Sequence, residues 1–304
     1  MDYKKILKSR RLRIFILSLF NWIPDSIMVS IQYRIKTGRK LNIKNPQRFS
    51  EKLQIYKLKY RNLDMLRCTD KYEVRKYIEE KGYGQYLIPL IGVYDRIEEI
   101  NYAKLPHKFV AKTTDGGGGS QVYICKDKSK ISKDFLNNLL NNWMSTRKTN
   151  KHFAREWAYD NNYPRRIIIE ELIGGEYDDL IDYKFFCFDS EVKYIYGISD
   201  RNLGYNASLG IYDSEFNKLN ISRNDERIQE ISLPKPLNFS VMKDIAKQLS
   251  KDFPHVRVDL YNVEGQIYFG ELTFYDGSGY ITFDPDSFDE EMGKCFNIKS
   301  FTKF

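Results

Sequence analysis

Val256-Arg-Val-Asp-Leu-Tyr-Asn-Val-Glu-Gly-Gln-Ile-Tyr-Phe-Gly-Glu-Leu-Thr-Phe274 reads as two β-strands around a tight turn. Val256, Val258 and Leu260 alternate with Arg257, Asp259 and Tyr261, and Leu272 and Phe274 alternate with Glu271 and Thr273. That period of two is what a strand with one buried face requires. A three-residue loop ending on Gly265 predicts a type I turn closed by a left-handed glycine. An odd loop then puts Arg257, Asp259, Glu271 and Thr273 on one face and the apolar set on the other. A guanidinium, two carboxylates and a hydroxyl would repel or strand one another in a plain core. They suit a face where a hard cation such as Mg²⁺ sits between the carboxylates and the arginine meets an anion. Taken alone, the hairpin is also compatible with an exposed face of ordinary ion pairs.

Working outward, Lys108-Phe-Val-Ala-Lys112 is a short strand ending on a lysine, followed by Thr113-Thr-Asp-Gly-Gly-Gly-Gly-Ser120 and a second strand, Gln121–Cys125. Four glycines, Gly116, Gly117, Gly118 and Gly119, allow backbone N–H groups to close over phosphate oxygens. No Gly-Lys-Ser/Thr follows, so this is not a Walker A loop. It is a candidate flap over a nucleotide, or a flexible surface turn. Upstream, Asp70 and Glu73 predict a capped helix start with Lys71 in its first turn, an unfavourable place for a cation unless an anion binds there. Downstream, Arg166–Ile173 is a buried strand carrying Glu170, Glu171 and Leu172 at its end. Asp182-Tyr-Lys-Phe-Phe-Cys-Phe188 alternates again, with Asp182 and Lys184 on one face. Arg201 follows the next strand, Val192–Ile198, where it could meet a substrate anion or form a surface ion pair.

This ordered set resembles the ATP-grasp superfamily, and more narrowly the TupA-like ATP-grasp proteins of bacterial surface-polysaccharide and teichuronopeptide biosynthesis. The matching phrases include Asn45-Pro-Gln-Arg-Phe-Ser-Glu-Lys-Leu53, Tyr86-Leu-Ile-Pro-Leu-Ile-Gly-Val-Tyr94, Lys108–Lys112, Asp182-Tyr-Lys-Phe-Phe186 and Lys251–Tyr261. The resemblance implies an α+β fold with nucleotide held between two sheet-and-helix lobes. It implies that Lys71 and Lys112 bind ATP phosphates, that Gly116 to Gly119 cover them, and that Glu170, Glu171 and Leu172 form the hinge at the adenine. Asp182 would lie near the ribose and Lys184 near the phosphates. Asp259 and Glu271 would hold Mg²⁺, and Arg257 would stabilise the developing oxyanion. Many such ligases read Glu-x-Asn after this hairpin, whereas this chain reads Glu271-Leu-Thr273, so either Thr273 or Asp276 would complete the metal site. The implied domains are a basic helical segment (1–44), a helical pre-grasp region (45–104), a lobe with the glycine flap (105–173) and a lobe with the metal and acceptor site (174–304).

Composition agrees with an enzyme body: 304 residues with 42% apolar and 15% aromatic content can bury a sizeable core. Cys68, Cys125, Cys187 and Cys295 lack metal-ligand spacing, as do His107, His152 and His255. Residues 1–40 hold ten Lys or Arg against Asp2 and Asp25, which equals the +8 of the whole chain and leaves residues 41–304 formally neutral. This basic excess flanks Ile14–Phe20 and a helical pattern of Ile27, Ile31 and Ile35. The apolar run is too short to span a bilayer. The segment reads as a membrane-surface anchor on anionic lipid at the inner face of the cytoplasmic membrane, or as helices that pack on the body or a partner. With no further basic stripe, nucleic acid is not an expected partner.

Three functions remain open to the sequence. The first is an ATP-dependent carboxylate–amine ligase that acts through an acyl phosphate, its partners an acidic saccharide or polysaccharide precursor and an amine. The second is a glycosyltransferase using Asp284-Pro-Asp286, and the third a non-catalytic relative of the fold. Asn202–Pro236 reads as loop-rich.

Overall fold

The computed structural model describes residues 20–117, 121–145, 153–160, 163–174, 180–199 and 207–302. Four helices come first in this described chain: α1 (Asp25–Thr37), α2 (Phe49–Lys59), α3 (Asp64–Cys68) and α4 (Glu73–Glu80). α1 stops at Gly38, whose left-handed backbone (φ 75°) lets its N–H reach the Arg34 carbonyl. The Ile27-Ile31-Ile35 pattern is therefore helical, as its spacing predicts; the Ile14–Phe20 run lies outside the described residues except for Phe20. Ahead of α4, Asp70 Oδ1 accepts the N–H groups of Tyr72 and Glu73 at 2.9 and 3.0 Å, so it caps as expected. The reciprocal half of the capping box is absent: Glu73 is turned to the Arg166 guanidinium instead.

The smaller sheet consists of β1 (Leu90–Tyr94), β2 (Phe109–Thr113), β3 (Val122–Cys125) and β4 (Ile167–Glu171), all antiparallel, in the order β1-β4-β2-β3. Its core is formed by Phe109, Ala111, Ile167 and Ile169 against Leu136 and Leu140 of α5 (Lys133–Ser145). β1 lies in the stretch assigned by sequence to the helical pre-grasp region, yet it is an edge strand of this sheet.

The larger sheet contains β5 (Asp182–Phe188), β6 (Glu191–Ser199), β7 (Ser208–Asp213) and β9 (Arg227–Ile228), while the two-residue β8 (Ser222–Arg223), which comes between β7 and β9 in the chain, lies outside it. After α6 (Phe239–Leu249), β10 (His255–Val263) and β11 (Gln266–Thr273) complete it in the order β11-β10-β5-β6-β7-β9. β8 instead pairs with β12 (Phe283–Asp284), and α7 (Ser287–Cys295) follows. The stretch read as loop-rich therefore contains an inner strand. Ser208–Tyr212 are all buried, and a strand covered on both faces shows no alternation to read.

One face of the larger sheet packs on α6, with Phe185 stacked on Phe239 and Cys187 Sγ at 3.6 Å from the Ala246 carbonyl. The opposite face is divided. Its Phe188–His255 end is roofed by α2, where Phe49 meets Phe186, Phe188 and His255 edge-on at 5.1–6.2 Å between ring centroids. Its Asp182–Tyr261 end lies open to a cleft. Lys71 at the start of α4 donates its N–H to the Thr114 carbonyl at 2.8 Å, tying the helical region to the base of the glycine hairpin.

Candidate active-site cleft

A cleft of about 410 Å³ lies between the two sheets. Its charged lining comes from the loop before α4 (Lys71), α4 itself (Arg75), β2 (Lys112), β4 (Glu170, Glu171), β5 (Asp182, Lys184), β8 (Arg223), the turn after it (Glu226), β10 (Arg257, Asp259), β11 (Glu271) and the turn that follows β11 (Asp276). Of the residues singled out by sequence, Lys71, Lys112, Glu170, Glu171, Leu172, Asp182, Lys184, Arg257, Asp259 and Glu271 share this space, whereas Thr273, Gly116 and Gly117 are not part of its lining. Gly118, Gly119 and Arg201 lie outside the described residues.

The β10–β11 hairpin reaches the expected arrangement by a different route. Val263 pairs with Gln266 around the two residues Glu264 and Gly265, both at positive φ (51° and 93°), as a type I′ turn demands. A two-residue loop would place Asp259 opposite Gly270 and turn Glu271 to the wrong face. The register slips at Gly270, an extra residue on β11, so Asp259 faces Glu271 and Arg257 faces Thr273. A Cβ on Gly270 would sit 3.0 Å from the Asp259 carbonyl oxygen, so close packing demands glycine here.

Arg257 is the hub of this face. Its Nε and Nη2 donate to the two oxygens of Asp259 at 2.7 Å each, and Nη2 also reaches Glu271 at 3.1 Å and Thr273 Oγ1 at 3.0 Å. Nη1 pairs with Asp276, which also meets Arg223 Nη1 at 3.5 Å. Lys184 bridges Asp182 at 2.7 Å and Asp259. Burial pushes Asp259 up to about 6, reinforced by Asp182, against the pull of Arg257 and Lys184. For Glu271, partial desolvation by the cleft walls is outweighed by Lys184, Arg257 and Lys71, which hold it well below the usual carboxylate range. Its side chain is 51% exposed to the cleft, whereas Asp259 is 2% exposed.

The other wall is sparser. Lys112 Nζ pairs with Glu170 at 2.6 Å, and Arg75 Nη1 donates to the same carboxylate at 3.1 Å and to the Ile88 carbonyl at 3.0 Å. Lys71 Nζ donates to the Gly116 carbonyl, and burial lowers its pKa from the usual lysine value. Glu171 and Leu172 line the cleft beside the turn into Gly174. Arg75, Arg223 and Asp276 thus join residues the sequence pattern singled out. Asp276 is marked by the missing Asn at Thr273; Arg223 has no sequence signal, because the pattern around it gave no strand. Neither Asp284 nor Asp286 lines the cleft; Asp286 is held by Arg39 and by Arg48 at 3.0 Å.

Among the described residues, no group of three or more His, Cys, Asp or Glu side chains forms a ready-made metal cage. The donor set fits Mg²⁺ nonetheless, because that ion is commonly held by one or two carboxylates with phosphate and water completing the octahedron. Asp259 and Glu271 face each other across the β10–β11 pair and supply those two. Thr273 Oγ1 is engaged by Glu271 at 2.9 Å and by Arg257.

A family model described as TupA-like ATPgrasp matches residues 51–297. No curated protein matches the chain. Similar solved structures include D-alanine–D-alanine ligase from Bacillus anthracis complexed with ATP, 18% identical, covering 68% of this chain and 55% of that one, with a TM-score of 0.41. The D-alanine–D-alanine ligase from Helicobacter pylori is 14% identical, with coverages of 76% and 61% and a TM-score of 0.39. A biotin carboxylase complex from Campylobacter jejuni is 13% identical, with coverages of 75% and 46% and a TM-score of 0.44. The matched region thus spans roughly half to three-fifths of those proteins' lengths.

Proposed function

The chain belongs to the TupA-like ATP-grasp family, and from that membership we propose that it is an ATP-dependent ligase joining a carboxylate to an amine through an acyl phosphate. The observation that carries this reading is the convergence of Lys71, Lys112, Lys184 and Arg257 with Asp259 and Glu271 on one cleft between the two sheets. Such an arrangement can bind a triphosphate and oppose charge as it develops on a transferring group.

In this reading Glu170, Glu171 and Leu172 meet the adenine, Asp182 the ribose, and Lys71, Lys112 and Lys184 the phosphates, with Gly116 to Gly119 closing over them. Asp259 and Glu271 would hold Mg²⁺, with Thr273 or Asp276 completing the donor set, and the bound ion would supply positive charge against the phosphoryl group. An acceptor carboxylate oxygen attacks the γ-phosphorus as its bond to ADP breaks. Arg257 and Lys184 stabilise the negative charge that builds on the transferring group, and Arg201 would meet the acceptor anion. An amine then attacks the acyl carbon, the C–O bond to phosphate breaks, and the nitrogen loses its proton to leave an amide and free phosphate.

The family supports the setting: an acceptor carboxylate on a uronic acid of a polysaccharide or its precursor, and an amino acid or small amine as co-substrate. Residues 1–40, with ten basic side chains against two acids, support a place at the inner face of the cytoplasmic membrane. Calorimetry with ATP and Mg²⁺ on the native protein and on Glu271→Gln tests the site. Binding in the first and strongly weakened Mg²⁺-dependent binding in the second is the expected outcome; no nucleotide binding by the native chain would overturn the reading. ADP release stimulated by uronic acids together with amines would then identify the acceptor.

A further inference from the structure

α1 has two apolar faces, and among the described residues only one of them is packed. Val29 and Tyr33 are fully buried, Met28 is nearly so, and Val29 and Tyr33 form a small core with Leu41. Ile27, Ile31 and Ile35 are 53%, 44% and 54% exposed, and Trp22 (78%) and Phe20 (41%) continue the apolar surface beyond the helix start. At about 100° per residue the three isoleucines cover about 80° of the helix, with Arg34 about 20° from their edge. Exposed Arg34 borders them and exposed Lys40 follows the helix end, while Lys36 lies about 100° beyond Ile35 on the other side. The only acid among residues 20–40 is Asp25, which faces Arg155 at 3.6 Å. Contiguous isoleucines and a tryptophan with a rim of a single charge sign mark a docking surface rather than a solvated one.

We infer that this outer face of α1 is the part of the protein that lies on an anionic lipid surface. Ile27, Ile31, Ile35 and Trp22 enter the boundary between headgroups and acyl chains, and Arg34 sits on lipid phosphates. This deepens the proposed membrane location and rests on it for the setting, while standing apart from the chemistry of the cleft. The charge of the rim selects lipid over a second copy of the chain, which would bring the same basic residues against one another. No helix among the described residues is long and apolar enough to cross a membrane, so the face acts by lying on the surface.

The same helix is joined to the cleft. Gln32 accepts the Tyr280 hydroxyl at 2.6 Å and donates to the Phe153 carbonyl at 2.9 Å. Tyr280 closes the Asp276–Gly279 turn, which presents Asp276 to Arg257. The docking helix thus braces the end of the cleft beyond Arg257, away from the Glu170–Leu172 hinge. An acceptor carried on a lipid is the substrate class this arrangement serves.

Co-sedimentation of the full-length protein with mixed phosphatidylcholine–phosphatidylglycerol vesicles tests the face. Ile27→Asp/Ile31→Asp is expected to lower partitioning at least about tenfold, and Arg34→Glu several-fold. ATP–Mg²⁺ binding by calorimetry should stay unchanged in both, which shows that the fold is retained and keeps this result separate from the ligase reading. In a Trp143→Phe/Trp157→Phe protein that keeps Trp22, fluorescence should shift to the blue on vesicle addition and be quenched by brominated lipid, a readout that does not depend on the folding of the Ile27→Asp/Ile31→Asp variant. Vesicle binding by the double variant equal to that of the native protein would overturn the inference. So would failure of the native protein to bind vesicles, including the case in which Ile27→Asp/Ile31→Asp instead turns a concentration-dependent dimer into a monomer.

Discussion

Two β-hairpins line the cleft, and glycine plays opposite parts in them. In β10–β11 a single glycine, Gly270, is fixed by the Asp259 carbonyl 3.0 Å from where its Cβ would be, and this bulge sets the register of the charged face. In β2–β3 the connection carries Gly116 to Gly119, and a Cβ on Gly117 would meet nothing within 4 Å. One hairpin uses the absence of a side chain to hold charges in a fixed geometry. In the other, at Gly117, the space a side chain would take stands open. A glycine is therefore informative only with its neighbours: crowded, it sets a register, and uncrowded, it permits movement.

The largest expected effect breaks the fixed side of this contrast. Gly270→Val forces the Asp259 backbone and the Tyr261 ring aside; destabilisation by about 1–3 kcal/mol is expected, with loss of ATP turnover beyond about a hundredfold as the carboxylate pair separates. Thermal unfolding and an ADP-release assay measure both, and native-like turnover would show that the bulge does not set the site. Next comes Glu271→Gln, which keeps the register and removes one charge. Turnover should fall by about a hundredfold or more, while stability changes by less than about 1 kcal/mol because the side chain is half exposed.

A third prediction uses the far end of the rigid hairpin. His255 is fully buried, stacks on Phe188 with ring centroids 4.6 Å apart and has its Nδ1 2.9 Å from the Cys187 carbonyl. Burial lowers its pKa to about 4, with the hydrogen bond to Cys187 and the Asp276 charge opposing and Arg257 assisting. The folded value lies below the unfolded one, so protonation favours the unfolded chain. Stability unaffected by this group above about pH 6.5 should decline by roughly 1.4 kcal/mol per pH unit down to about pH 4. Asp259, held up at about 6, contributes the opposite slope as pH falls below that value, so the His255 share is the difference between urea unfolding of the native protein and of His255→Phe across that range. The smallest effect tests the open side: Gly117→Ala should stabilise by at most about 1 kcal/mol, through the unfolded chain. Hydrogen exchange around Gly116 and Gly117 should slow when ATP and Mg²⁺ are added to the native protein; equal protection in both states would make the loop a plain turn.

The sequence made the charged face legible because alternation survives wherever one side of a strand is polar. Arg257, Asp259, Glu271 and Thr273 were grouped correctly, although through a three-residue loop where the chain uses two residues and a bulge. Both routes shift the register by one, and side-chain pattern alone cannot separate them. Ser208–Asp213 was not legible, because burial on both faces removes the alternation and Gly210 interrupts the apolar run. Arg223 was lost with it. Arg75 was hidden for another reason: on a helix with Val74 and Ile78 inward it reads as a solvated cation, and only the fold places Glu170 beside it. The Asp70 cap was readable and the Glu73 half of the box was not, since Arg166 lies 93 residues away in sequence.

The ion pairs of the cleft have a consequence for how a nucleotide could enter. Six cationic side chains line it (Lys71, Arg75, Lys112, Lys184, Arg223 and Arg257) against seven carboxylates (Glu170, Glu171, Asp182, Glu226, Asp259, Glu271 and Asp276). Among the described residues, then, this wall holds no surplus of positive charge, and its cations are largely committed to internal acids. A bare triphosphate would meet a surface that is formally slightly negative. A triphosphate already paired with divalent ions arrives close to neutral and leaves the balance where it was. If the cleft binds nucleotide as proposed, its described lining suits a salt better than an anion, and occupancy should follow the concentration of divalent cation much more steeply than that of sodium chloride.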